Sequence, residues 1–186
     1  MRNLSSALGP TLALIFLLLS ILGCEVATSM KIGSGPSFSL NGSGRLASFR
    51  VYGPQAEHRI ATPFDSKSLV WRIEPTGGYF KGSAVFGLNV QYGHVPSEYR
   101  QTVPATGTAP ALSSGQVYYF FAETTDAPPA DGFFYMDRNT PVRINVPGLC
   151  QSGFVGDVRP LKCGTQEPYQ EPSDLRQFVN AHRVRD

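Results

Sequence analysis

The chain is poor in charge and in residues that carry chemistry. Asp, Glu, Lys and Arg make up 16% of its 186 residues, below the usual quarter. The formal net charge is +2 and the charges are interspersed. No basic run exists, so the electrostatic footprint of nucleic-acid binding is missing. Three His, three Cys and one Trp are present. Only one long apolar run occurs, which excludes a multi-pass membrane protein. Leu- and Ala-rich heptads are missing, which excludes a coiled coil. The Gly residues keep no three-residue period, which excludes collagen. With 41% hydrophobic residues and so small a net charge, the chain is not disordered.

Turn formers and rings are plentiful instead: 19 Gly, 15 Pro, 12 Phe and 8 Tyr. This composition suits one small β-rich domain. The first 24 residues read as an export signal. Residues 12–22 (LALIFLLLSIL) are an apolar run of eleven. A spanning helix needs about 20 such residues, so this run fits a signal core better.

Ile21-Leu22-Gly23-Cys24 follows directly. It resembles the lipobox of bacterial lipoproteins, and the resemblance covers residues 1–24 only. It implies that the Cys24 sulfur becomes a diacylglyceryl thioether and that the chain is cut before Cys24. Each buried methylene of such an anchor contributes about 0.8 kcal/mol, so two or three acyl chains hold stably. Glu25, where an inner-membrane retention signal usually has Asp, favours the outer membrane. Ordinary secretory cleavage after Ser29 and an uncleaved anchor are the alternatives.

An odd cysteine in an exported protein needs a reason, and lipidation of Cys24 supplies one. Cys150 and Cys163 remain, thirteen apart, in a compartment that permits disulfides. A bridge between them is expected to stabilise by roughly 3 kcal/mol. Two free thiols or a metal pair are the alternatives.

Residues 25–36 are small and read as a flexible tether that holds the domain off the bilayer. A first strand at Met30–Ile32 is the alternative. From Phe38 to Val146 apolar residues alternate with polar ones, as in Ala47/Phe49/Val51, Leu69/Trp71/Ile73, Phe86/Leu88/Val90/Tyr92 and Val142/Ile144/Val146. Turn signals separate these runs; Asn41-Gly42 is the strongest hairpin signal among them. Eight or nine short strands predict an all-β fold, a single antiparallel β-sandwich with a short C-terminal helix. The pattern is similar to immunoglobulin-like and fibronectin type III-like sandwiches, and carries over no functional residue. Leu175, Phe178, Val179 and His182 keep helical spacing after Ser173, a plausible N-cap. The expected layout is signal 1–23, lipidated Cys24 and tether 24–36, sandwich 37–149, and a disulfide-pinned extension 150–186 carrying the helix.

Catalytic patterns are few. His58, His94 and His182 show no metal-ligand spacing, and no Gly-x-Ser-x-Gly elbow occurs. Gly33-Ser34-Gly35 and Gly42-Ser43-Gly44 sit in a tether and a turn. No metal or other cofactor is expected. Glu123, Asp126 and Asp131 cluster around one loop, and could orient a ligand, bind calcium or serve a surface hydrolase. The sharpest feature is aromatic. Tyr118-Tyr119-Phe120-Phe121 and Phe133-Phe134-Tyr135 put rings on both faces of two strands, whereas a sandwich strand normally buries one face. Three outcomes are open, one of them an oligomer interface on the second face. Tyr118, Phe120 and Phe134, with Glu123 and Asp126, could form an exposed glycan-binding platform. Alternatively the Leu175/Phe178/Val179 helix could cover the second face. The expected protein is a non-catalytic, lipid-anchored envelope protein for binding, adhesion or assembly. Its partners would be the membrane, through Cys24, and an envelope protein or a glycan.

Overall fold

The structure, a computed structural model, describes residues 26–54, 66–144 and 175–184. Among the described residues, nine strands form two antiparallel sheets packed face to face. They are β1 (Ser29–Gly33), β2 (Ser37–Asn41), β3 (Leu46–Tyr52), β4 (Leu69–Pro75), β5 (Leu88–Gln91), β6 (Tyr99–Val103), β7 (Val117–Thr124), β8 (Ala130–Asp137) and β9 (Thr140–Ile144). One sheet has the order β1-β2-β5 and the other β6-β4-β3-β7-β8-β9. Among the described residues, one short α-helix, α1 (Leu175–His182), follows. Arg183, just beyond it, bridges Ile144.

Period-two alternation explains the core. Phe38 and Leu40 of β2, Phe49 and Val51 of β3, Trp71 and Ile73 of β4, and Val90 of β5 all point between the sheets and are fully buried. Phe38 packs on Phe49, Phe120 and Phe134, with ring centroids 4.9, 5.6 and 5.6 Å away. Burying one such side chain stabilises by about 1.5–3 kcal/mol, so these rings dominate the cohesion of the two sheets. Trp71 belongs to this core. Its indole N–H, which could not be buried unpaired without cost, donates to Gln101 Oε1 at 3.0 Å.

Three expectations change. Ser29–Gly33, read as tether, form β1 and pair along their whole length with β2. Met30 is the reason: its side chain enters the core opposite Leu40. The Asn41–Gly44 turn does not close a hairpin. β2 pairs with β1 and β5, while β3 pairs with β4 and β7, so this turn carries the chain from one sheet to the other. Gly42 has φ 150°, and a Cβ there would lie 2.8 Å from Thr28 Cα. The turn therefore needs glycine because the N-terminal segment presses on it. Finally, β5 is only Leu88–Gln91; Phe86 lies outside it and is exposed.

Cys24, Cys150, Cys163, His58 and the segment 59–62 lie outside the described residues. So do Ser173 and the side chains of Leu175, Phe178 and His182.

Candidate functional site

The outer face of the six-stranded sheet, turned away from the other sheet, holds the chemistry. Strand alternation places Ser48, Arg50 and Tyr52 of β3 there. With them lie Arg72 and Glu74 of β4, Val117, Tyr119, Phe121 and Glu123 of β7, and Asp131, Phe133 and Tyr135 of β8.

One half of this face is aromatic. Tyr52, Val117, Tyr119, Phe133 and Ile144 form a second buried cluster, and Val179 of α1 packs into it. Tyr119 lies 4.9 Å from Phe133 and 6.0 Å from Tyr52, centroid to centroid. The Tyr119 hydroxyl donates to Asp131 Oδ2 at 2.6 Å. Burial pushes the Asp131 carboxyl above the usual carboxylate range, against the opposing effects of this hydrogen bond and of Arg143. Burial beside Asp131 also pushes the Tyr119 hydroxyl well up.

The other half is charged. Arg50 forms an ion pair with Glu123, and the Ser48 hydroxyl donates to the same carboxylate at 2.9 Å. The guanidinium also stands 5.6 Å over the Phe121 ring. Tyr79, in the loop after β4, reaches back so that its hydroxyl lies 3.4 Å from Glu123 Oε1. Partial burial and the Glu123 charge raise its ionisation above the ordinary tyrosine range. Arg50 sits directly opposite Arg72 across the β3–β4 ladder. Like charges in that position repel. Each is held by its own acid, Arg72 through an ion pair with Glu74, and Glu74 in turn faces Arg100 on β6. Three guanidinium groups and two carboxylates thus cross four neighbouring strands.

The sequence-derived site residues separate. Tyr118, Phe120 and Phe134 do not form a platform. They point between the sheets and are 1%, 0% and 0% exposed. The Tyr118 ring stacks on Phe134 at 5.5 Å, and its hydroxyl accepts the Ser113 amide at 2.8 Å. A ligand could reach these rings only by opening the sandwich. The helical covering of the second aromatic face holds at Val179. Glu123 and Asp131 share the outer face, where Asp131 is directly opposite Phe121 and Glu123 lies two residues further along β7. Each is committed to different partners. Asp126 is in the β7–β8 loop, exposed, and accepts from the Thr125 hydroxyl at 2.7 Å. The three carboxyl groups therefore do not converge. Among the described residues, no group of three or more His, Cys, Asp and Glu side chains could hold a metal ion.

Sequence reasoning passed over Arg72, Tyr79 and Phe80, and gave Phe86 to a strand. Tyr79 and Phe80 lie between Gly77-Gly78 and Gly82, and Phe86 precedes Gly87. Rings among glycines in a turn have no strand to bury them, and that was the available signal. The cross-strand arginine pairing had none, because partners 22 residues apart are matched only by the fold.

No known family model, no curated protein and no solved structure matches the chain.

Proposed function

We propose that this chain is a lipid-anchored cell-envelope protein, fixed to the membrane through Cys24, whose sandwich has a non-catalytic binding, adhesion or assembly role. The observation that carries the reading is the attachment of Val26 and Thr28 to the sandwich. The Val26 carbonyl accepts hydrogen bonds from the Ser43 amide and hydroxyl, at 3.1 and 2.9 Å. Thr28 is buried, and its amide reaches the Pro128 carbonyl at 3.4 Å. Cleavage after Ser29 would remove these contacts from the folded domain. Cleavage before Cys24 keeps them all. The residues just after the lipobox-like stretch thus belong to the fold.

A binding role for the body is supported by the charged half of the outer sheet face. Its two carboxylates are occupied by arginines of the same chain, while guanidinium groups outnumber them. This suits recognition of polar or acidic groups on an envelope partner better than proton-transfer chemistry. The glycan alternative loses the rings first assigned to it. The comparison with immunoglobulin-like domains rests on the sandwich alone: nine strands fall within that family's seven to nine, but their division into three plus six departs from its four plus three or four plus five.

Intact mass of the full-length product from bacterial membranes tests the reading. The expected mass is residues 24–186 plus a diacylglyceryl group, with or without a third acyl chain. An unmodified mature chain in the soluble fraction overturns it.

A further inference from the structure

The large hydrophobic side chains exposed among the described residues are Val26, Tyr79, Phe80 and Phe86, at 60%, 46%, 69% and 79%. All four lie at one end of the sandwich. Val26 is bonded to Ser43. The next residue, Gly44, accepts the Val85 amide at 3.1 Å, and Phe86 follows Val85. Arg45 donates to the Gly82 carbonyl at 2.9 Å and bridges Ala84. Leu46 N–H reaches the Ser83 carbonyl at 2.9 Å. The loop bearing Tyr79, Phe80 and Phe86 is therefore laced to the turn on which the N-terminal segment rests. Gly82 makes this approach possible, because a Cβ there would lie 1.9 Å from Leu46 O. The opposite end differs. Its loops are rich in Gly, Pro, Ala and Ser, and contain a shallow cleft of about 450 Å³ beside Tyr92 and Pro110.

Cys24 is two residues upstream of Val26. Two residues span at most about 7 Å, comparable to one headgroup layer of a bilayer. The twelve-residue tether of the sequence reading is thus reduced to a stub. A lipid on Cys24 would draw this end of the sandwich onto the membrane.

We infer that this end is a membrane-contacting surface, in which Phe80 and Phe86 enter the phospholipid interface beside the anchor. Exposed Arg45 and Lys81 would lie at headgroup level, where long cationic side chains extend from apolar surroundings to polar ones. The inference rests on the lipid-anchor reading above. The occupant is the bilayer, because Val26, two residues from Cys24, is held at this end and the exposed rings share it.

The test uses the full-length chain, recovered from whichever fraction holds it. Phe80→Trp, Phe86→Trp and, as a control at the opposite end, Ala111→Trp are mixed with phosphatidylethanolamine–phosphatidylglycerol vesicles. The vesicles are prepared with or without acyl-brominated phosphatidylcholine. Bromine quenches only a Trp that reaches the acyl boundary. The parent chain supplies the baseline from Trp71, which is fully buried. Loss of fluorescence at positions 80 and 86 but not at 111 is the expected result. A lipidated chain with no loss at 80 and 86, or with equal loss at 111, overturns the inference and leaves the anchor standing. The mass of each sample reports the anchor separately. An unlipidated chain quenched at 80 and 86 keeps the membrane surface and removes the anchor; unlipidated and unquenched removes both.

Discussion

The carbonyl of Val26 is clasped by Ser43 through both the backbone N–H and the side-chain hydroxyl. This contact ties the start of the described chain to the turn that crosses between the sheets. Ser43→Ala keeps one of the two donors. It is expected to lower stability by about 1 kcal/mol, or a melting temperature by about 2–4 °C for a chain of this size. Hydrogen exchange at the Thr28 amide should quicken as the segment loosens. An unchanged exchange rate at Thr28 would show that the clasp does not hold the segment.

Arg50 and Glu123 form a half-buried pair that also serves Ser48 and Tyr79. Glu123→Ala leaves a guanidinium and two hydroxyls without this acceptor, at an expected cost of about 1–3 kcal/mol. Arg50→Ala leaves the carboxylate with the hydroxyl donors. If the pair acts as one unit, the double variant should be less destabilised than the sum of the singles, by at least about 0.5 kcal/mol. Thermal or denaturant unfolding of the four proteins measures this. Strict additivity would reduce the contact to proximity.

Asp131 supplies a pH test. Burial raises its folded-state value above that of the unfolded chain. The folded protein therefore holds this proton more tightly. The contribution is most favourable at low pH and is lost as pH rises from the unfolded value, about 3.9, through the raised folded one. Asp131→Asn removes the titration and keeps an acceptor for the Tyr119 hydroxyl. Its stability relative to the parent should increase from about pH 3 towards neutrality. A difference that stays flat or falls over that range would mean that hydrogen bonding, not desolvation, governs the carboxyl.

Much of the body was legible in local pattern. Ala47/Phe49/Val51 and Leu69/Trp71/Ile73 alternate because strand side chains alternate, and the structure puts Phe49, Val51, Trp71 and Ile73 in the core. The C-terminal helix followed from the i, i+3, i+4 spacing at Leu175, Phe178 and Val179. Where local signals competed with packing, they failed. Asn41-Gly42 has hairpin chemistry, but β2 found partners in β1 and β5. Residues 29–33 are small and polar around Met30 and Ile32, and only the docking of Met30 beside Leu40 makes them a strand.

The aromatic strands show where the division falls. Alternation alone determined that Tyr118, Phe120 and Ala122 share one face of β7, and Val117, Tyr119 and Phe121 the other. It could not decide which face the second sheet would cover, since both are apolar and each would gain from burial. The tertiary structure decided it. Tyr118, Phe120 and Phe134 went between the sheets, and Tyr119 and Phe133 went under α1. The same holds for Phe80 and Phe86, which are as apolar as the core rings but exposed. Hydrophobicity is a property of the residue, whereas burial depends on what the rest of the chain brings against it.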